Sequence, residues 1–285
     1  MPATDSSEPA HLIALAAELE REGQYNVAKL LRAASDSLIT RRSFTVRPPR
    51  EVPEQVAELR KISLELAGTA AVALAQPLLK AATAMEENRV PFSKETPDPR
   101  VCRICGLAAS ADFEDRCPHC GAWPSTVRKA RAIYWLTESG PIGALNLLRS
   151  APKTIAGLIG DRDDATLATS RQEGDWSAHQ VIEHLHFAQT LMRGRLDLLL
   201  AGGEPELASA EVWKMEGRDA GTRALFDAYH ALRSEIIDIL ERAPAESWWN
   251  VGLHEEWGRV TLLEQASYFA NHEPTHLAQL ADSLA

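Results

Sequence analysis

The chain has 285 residues, of which 45% are hydrophobic and 25% charged, a composition typical of a globular protein with one large or two ordinary domains. Its net charge of −10 at pH 7 argues against nucleic acid as the main partner. No apolar run approaches the roughly 18 residues of a membrane helix, and the first residues lack the pattern of a signal peptide. We therefore expect a cytoplasmic protein with no membrane partner.

The first 90 residues are predicted to form an N-terminal helical region. Apolar residues at helical spacing predict two helices within about 8–42 and a longer helical segment over about 52–88. Ser6 or Ser7 would cap the first helix, and Pro77 would bend the last. A carboxylate di-iron bundle needs paired Glu-x-x-His motifs, whereas His11 is the sole histidine in this region. We predict that residues 1–90 serve packing or docking.

Two matched Cys-x-x-Cys-Gly motifs, CRICG and CPHCG, follow a polar linker. They supply all the cysteines of the chain: Cys102, Cys105, Cys117 and Cys120. The glycines permit the tight turn of a knuckle, and four thiolates suit tetrahedral zinc or iron. In a reducing compartment such a cluster favours a metal site over disulfides. The motifs resemble the rubredoxin-like, zinc-ribbon-like knuckles of rubrerythrins, so we expect a zinc ribbon with four cysteine ligands over 100–124. His119 would face solvent, and a helix over 125–138 would follow.

Four amphipathic patterns predict a four-helix bundle over residues 139–285, so that the fold is mainly α. The patterns cover about 139–159, a helix opening near 175, about 220–242 and about 261–283. Pro152 would bend or break the first helix, and Asp175 or Ser177 would cap the second. The long connection 202–219 predicts a crossover rather than a hairpin.

The last helix carries HEPTHLAQL (272–280), in which His272 and His276 share one helix face. The string His-Glu-x-x-His is also a zinc metalloprotease motif. That class needs a third ligand downstream, where only LAQLADSLA follows, and an unbroken helix, which Pro274 would interrupt. A third ligand must therefore come from upstream.

The second bundle helix offers three histidines, His179, His184 and His186. His184 borders the apolar stripe, His186 is expected on the far side of the helix, and His179 lies in the first turn. His184 with the two histidines of the last helix would hold a divalent ion and leave a fourth position open. The alternative for each is a hydrogen-bonded core histidine.

Residues of about 140–285 resemble the DinB-like superfamily of metal-binding four-helix bundles. The resemblance is carried by WS-x-x-x-V-I-x-H-L with Trp176 and His184, by HEPTHLAQL with His272, His276 and Gln279, and by LHEEWGRVTL (253–262). It implies that His184, His272 and His276 are metal ligands, with zinc favoured and nickel or iron as alternatives. It also implies a thiol-dependent S-transferase or isomerase that uses bacillithiol or mycothiol.

The resulting hypothesis is a metal-dependent transferase that joins a low-molecular-weight thiol to a small electrophile. No catalytic acid or base stands out: Glu183 and Glu273 are expected to be surface or supporting groups, and His254 a turn residue or a proton carrier. Two alternatives stay open, a non-catalytic metal-binding module and a redox protein with iron in the four-cysteine site. A homodimer is one of the oligomeric states that the sequence permits.

Overall fold

The structure is a computed structural model, and it describes residues 8–43, 45–109, 116–131, 134–136, 139–209 and 220–285. The chain divides into two compact units. The first comprises Met1–Pro91 and Pro99–Lys129, and the second comprises Phe92–Asp98 and Ala130–Ala285. Among the helices that the structure describes, none is long and apolar enough to cross a membrane.

Two helix pairs make up the helical part of the first unit. The two predicted helices are α1 (Pro9–Arg21) and α2 (Tyr25–Ser43), which pack against each other, and α3 (Val52–Leu66) packs against α4 (Ala75–Glu86). The expected cap at Ser6 or Ser7 lies outside the described residues.

The prediction of one helix over 52–88 bent at Pro77 was wrong. The helix ends at Leu66 because the Thr69 hydroxyl donates to the Leu66 carbonyl and accepts from the Ala71 amide, so this side chain satisfies the helix end. Pro77 is the third residue of α4, where a missing N–H needs no partner.

A small antiparallel sheet completes the first unit. Strand β1 (Arg100–Cys102) lies between β2 (Ala108–Ala109) and β3 (Val127–Lys129). The predicted helix over 125–138 is therefore wrong, because pairing with β1 holds residues 127–129 in an extended conformation. Glu20 of α1 accepts hydrogen bonds from Arg32 of α2 at 2.8 Å and from Arg103 beside β1 at 2.7 Å, so it ties the helices to this sheet.

Four long helices form the second unit and confirm the predicted bundle. They are α5 (Gly140–Ile159), α7 (Ala178–Ala201), α8 (Thr222–Arg242) and α9 (Leu262–Ser283), and a short α6 (Asp164–Ala168) lies between the first two. Capping boxes start two of them. Ser177 and Gln180 close the first turn of α7, and Thr261 and Glu264 that of α9.

The helices do not follow chain order around the bundle. Helix α5 packs against α9 and α8, and α7 packs against α8 and α9. His179 contacts Thr222, and Arg193 contacts Glu235. The residue numbers in these contacts rise together along both helices, so α7 and α8 run parallel. Arg195 instead meets Gln265 at the start of α9, so α7 and α9 run antiparallel. Parallel neighbours need a connection that returns along the bundle, which confirms the predicted crossover.

Both internal prolines lie within continuous helices, so neither causes the expected break. Pro152 cannot donate to the carbonyl of Leu148 four residues earlier, but Nη1 of Arg233 donates to that oxygen at 2.7 Å. A side chain from α8 thus replaces the lost backbone hydrogen bond. Pro274 likewise lies inside α9, so the two histidines that flank it share one continuous helix.

A second small sheet precedes α9. Strands β5 (Val251–His254) and β6 (Gly258–Thr261) form an antiparallel hairpin, and β4 (Glu206–Leu207) pairs with β5 in parallel. Gly252 is required here, because a Cβ at this position would lie 2.7 Å from the Leu207 side chain.

The bundle core has two apolar layers with a polar network between them. One layer includes Leu148, Met192, Ile236 and Phe269, and the other includes Ile155, Ile182, Leu225 and Leu280. In the network, Arg233 of α8 forms a buried ion pair with Glu273 of α9. Gln189 of α7 and the hydroxyl of Tyr229 also contact this pair. All four helices are therefore joined at this level, since Arg233 also reaches the Leu148 carbonyl of α5.

Candidate metal centres

The structure brings together the three histidines that the sequence singles out. His184 comes from α7, and His272 and His276 come from the antiparallel α9. One donor nitrogen from each lies within 4.8 Å of the other two, and the Nε2 atoms of His272 and His276 are 2.8 Å apart. The other histidines of α7 do not join this cluster.

These imidazoles are held in the neutral form. Burial, followed by the influence of His276, lowers the pKa of His184 to about 4, and burial with the two neighbouring imidazoles lowers the pKa of His272 to about 3. Burial also lowers the pKa of His276. At neutral pH each imidazole is therefore uncharged and keeps one nitrogen lone pair. This is the protonation state that a metal ligand requires.

Several ring nitrogens lack partners. Both nitrogens of His184 and Nδ1 of His272 are buried without a hydrogen-bond partner in the described part of the chain. Nδ1 of His276 lies 3.1 Å from Oε1 of Gln279, an acceptor, so Nδ1 carries the proton and Nε2 keeps its lone pair towards the cluster. A buried polar group without a partner is costly, and a cation would supply one. The donor set therefore fits a divalent metal.

Aromatic side chains surround the cluster. The Trp176 ring stacks on His276 with a centroid distance of 6.3 Å, and the Tyr268 ring stacks on His272 at 5.5 Å. Next to the histidines lies a cavity of about 90 Å³. Its lining is His184, Phe187, Ala188, Leu191, Arg195, Trp257, Tyr268, Phe269 and His272. A small molecule in this cavity would contact two of the three histidines.

Other predicted positions have different roles. His179 contacts the Thr222 hydroxyl at 3.0 Å and so links α7 to α8. His186 is buried rather than on an outer face, because α7 is enclosed by neighbours on more than its apolar stripe. His254 is a buried residue of β5 and not a turn residue.

Both glutamates next to the histidines are buried, so of the two alternatives the surface position is wrong and the supporting role stays a prediction. Glu183 is buried beside His184. Glu273 pairs with Arg233, and its Oε1 also accepts from the Tyr229 hydroxyl at 3.0 Å. The helical spacing indicated that these residues point away from the metal cluster, but the bundle covers that side of α9 as well.

The second cluster contains the four cysteines. Their Sγ atoms lie within 4.8 Å of one another, with 3.7 Å between Cys102 and Cys120 and 3.7 Å between Cys105 and Cys117. A tetrahedral ion with metal–sulfur bonds of about 2.3 Å would separate its sulfurs by about 3.8 Å. The separations fit such an ion and are far too long for disulfides.

The backbone of the two cysteine knuckles is matched. Gly106 donates to the Cys102 carbonyl at 2.9 Å, and Gly121 donates to the Cys117 carbonyl at 2.8 Å. Both glycines have positive φ, as the motif predicted. Burial raises the pKa of Cys117, but the backbone amides of Cys120 and His119 outweigh that effect and bring it down to about 7. The His119 side chain is exposed.

The second unit is thus a four-helix bundle with one crossover, in which histidines from two antiparallel helices form a candidate metal centre. Residues 147–280 match the family model of the DinB superfamily, so the C-terminal half of the chain is DinB-like, as its motifs indicated.

Comparison with solved structures finds YfiT from Bacillus subtilis, described as "a probable metal-dependent hydrolase with an unusual four-helix bundle topology". The similarity covers 54% of this chain and 90% of YfiT, at 17% identity and a TM-score of 0.46. No curated protein matches the chain.

Arg195 and Tyr268 line the cavity beside the histidines and were not predicted. A weak signal was present in helical spacing. Arg195 lies eleven residues after His184, and Tyr268 four before His272, so each shares a helix face with a candidate ligand. Nothing in the local sequence distinguishes them from ordinary surface residues.

Proposed function

We propose that the second unit is a metal-dependent enzyme that joins a low-molecular-weight thiol to a small electrophile. His184, His272 and His276 would hold the divalent ion, with zinc favoured over nickel or iron. The observation that carries the proposal is the set of buried, neutral imidazoles with unpartnered nitrogens beside a cavity. Structural zinc sites are normally closed by four protein ligands, whereas three ligands and an adjacent cavity are typical of a catalytic site.

The chain would contribute orientation and exclusion of water. Gln279 fixes the tautomer of His276, and the rings of Trp176 and Tyr268 hold two imidazoles in place. The apolar side chains Phe187 and Leu191 line the cavity and would limit its water content. A bound divalent ion would act as a Lewis acid that lowers the pKa of a thiol.

In the proposed reaction the thiol loses its proton to solvent, and its sulfur forms a bond to an electrophilic carbon of the second substrate. The leaving group departs with the electron pair of the bond that breaks. Bacillithiol and mycothiol are the first thiols to test, because the DinB-like resemblance implies them.

For the first unit we propose a zinc ribbon with a structural role, with Cys102, Cys105, Cys117 and Cys120 as ligands. The separations between their sulfurs support this proposal, and iron is the alternative. Reduced thiols require a reducing compartment, which is consistent with the expected cytoplasmic location.

Element analysis of protein purified without added metal tests both sites. We expect two metal equivalents in the wild type and one in His276→Ala. The matched control is His230→Ala, since His230 is an exposed histidine of α8, and it should retain both equivalents. The wild type loaded with metal should conjugate a thiol to an aryl halide, and His276→Ala should not.

Three results would redirect the proposal. Full metal occupancy without turnover of any thiol would contradict the transferase and favour a non-catalytic module. A single equivalent in both wild type and His276→Ala would contradict the bundle site. Visible absorption that bleaches on reduction would assign iron to the cysteines and favour a redox protein.

A further inference from the structure

The cavity beside the histidines has a cationic end. Arg195 lines the cavity together with His184 and His272, and its guanidinium meets Gln265 of α9. Gln265 and His272 are seven residues apart on that helix, which places the arginine end about 10 Å along the bundle axis from the histidines. The cavity therefore joins a candidate reacting centre to a fixed positive charge.

Arg195 is 4% exposed, yet its hydrogen-bond partners are all neutral. Its Nη1 donates to Oε1 of Gln265 at 3.2 Å, and its Nη2 donates to the Ala208 carbonyl at 2.5 Å and lies 2.9 Å from Nε2 of His254. Its Nε is buried without a partner among the described residues. A guanidinium has five N–H donors, so these contacts do not use all of them.

His254 supplies no negative charge. Burial and then the Arg195 charge lower its pKa to about 3, so its ring is neutral. The carboxylate that acts most on Arg195 is Glu256, which lies beyond ion-pair distance in the described structure.

The other buried arginines show what Arg195 lacks. Within the described residues, three arginines are less than about a tenth exposed: Arg32, Arg195 and Arg233. Arg32 has Glu20 at 2.8 Å, and Arg233 has Glu273. A charge removed from water is costly unless a counter-charge accompanies it, and Arg195 is the member of this set with no such carboxylate in the described chain.

We infer that the cavity takes the carboxylate-bearing end of a small molecule and that Arg195 is its counter-charge. The planar guanidinium fork matches a carboxylate. The volume of about 90 Å³ suits a short acid rather than a nucleotide or a sugar phosphate. Phe187, Leu191 and Trp257 would contact the hydrocarbon part. The inference rests on the proposed function in taking the histidines as the reacting centre, and it names the substrate class as a carboxylic acid.

Binding to the metal-free, full-length protein tests this inference without turnover. The probes are acetate, propionate and butyrate, each paired with its primary amide, which has nearly the same shape and no charge. Trp257 lines the cavity, so fluorescence reports occupancy and calorimetry checks it. We expect saturable binding of at least one acid and at least tenfold weaker binding of its amide, because a charge-assisted hydrogen bond is lost.

Variants locate the binding site. Arg195→Met should weaken acid binding at least tenfold, and Arg195→Lys, which keeps the charge but not the fork, should bind weakly and still prefer acid to amide. The matched control is Arg193→Met, because Arg193 lies two residues away and pairs with Glu235 and Asp197 at the surface; it should bind as the wild type does. If Arg195→Met does not fold, the lysine variant carries the test.

Equal binding of acid and amide, no binding of any acid, or wild-type binding by both Arg195 variants would overturn the inference. These outcomes can be distinguished from a failure of the proposed transferase function. His276→Ala changes a candidate metal ligand that does not line the cavity, so it should lose metal and retain acid binding. Acid binding without turnover would therefore contradict the transferase alone. Turnover of neutral and acidic substrates at equal kcat/KM would contradict the carboxylate site alone. Comparing mercaptopropionate with mercaptoethanol, and an acidic electrophile with its amide, tells whether the thiol or the electrophile carries the carboxylate.

Discussion

The buried pair of Arg233 and Glu273 offers a quantitative test of how the bundle is held together. Arg233→Met would leave the Glu273 carboxylate in the core with donors from Tyr229 and Gln189 only. It would also remove the donor that satisfies the Leu148 carbonyl opposite Pro152. Removing one partner of a buried pair costs about 3–5 kcal/mol. We expect that loss in the free energy of unfolding.

The loss should appear as a lower melting temperature of the second unit. For a domain of this size, about 1 kcal/mol corresponds to about 2–4 °C, so Arg233→Met should melt about 6–20 °C below the wild type. Six of the seven tryptophans belong to the second unit, so tryptophan fluorescence during urea or thermal unfolding reports on the bundle.

The double variant Arg233→Met/Glu273→Leu distinguishes the pair from simple packing. With both charges absent, no carboxylate is left unpaired, and the double variant should be more stable than either single variant. Single losses below about 1 kcal/mol, or effects that add in the double variant, would refute the view that this pair is coupled across the bundle. Arg193→Met, at a surface ion pair, serves as the control with an expected loss below about 1 kcal/mol.

Three further predictions concern pH, capping and metal. Burial lowers the pKa of His184 to about 4, whereas a histidine in the unfolded chain titrates near about 6.5. The unfolded chain therefore binds more protons than the folded chain between these pH values, so the metal-free bundle should lose stability as the pH falls from about 6.5 to about 4. The urea midpoints measured at pH 7.5 and at pH 5 should differ less in His184→Phe than in the wild type. An equal difference in the two proteins would contradict this prediction. Ser177→Ala removes the capping box of α7 and should cost about 1 kcal/mol, measured against Ser150→Ala at an exposed position; equal unfolding energies would show that the cap contributes nothing. Cys105→Ser should remove one metal equivalent and leave the histidine site filled, and loss of both equivalents would indicate that the two sites are not independent.

The helices, the cysteine cluster and the His272–His276 pair could be predicted because their signals are local, whereas His184 lies on another helix and was chosen from its place beside the apolar stripe and from the family resemblance. Apolar spacing of three and four residues marks the bundle helices, and the matched cysteine motifs mark a knuckle pair. His272 and His276 share a face in any regular helix, so their proximity needed no tertiary information. Local signals also failed where the tertiary structure outweighed them. Residues 127–129 are a strand because β1 pairs with them, and Pro152 stays in a helix because Arg233 replaces its hydrogen bond.

The sequence by itself determined which residue types are available for metal binding and which helices carry them. Only the tertiary structure decided what surrounds the histidines. Arg233 and Glu273 are 40 residues apart, and Arg195 and Gln265 are 70 apart, so their contacts depend on which helices are neighbours and in which direction they run. This arrangement of helices follows from the crossover between α7 and α8. It places Glu273 beside Arg233, whereas Arg195 lines a cavity. Helical spacing cannot supply this information, because it describes one helix at a time.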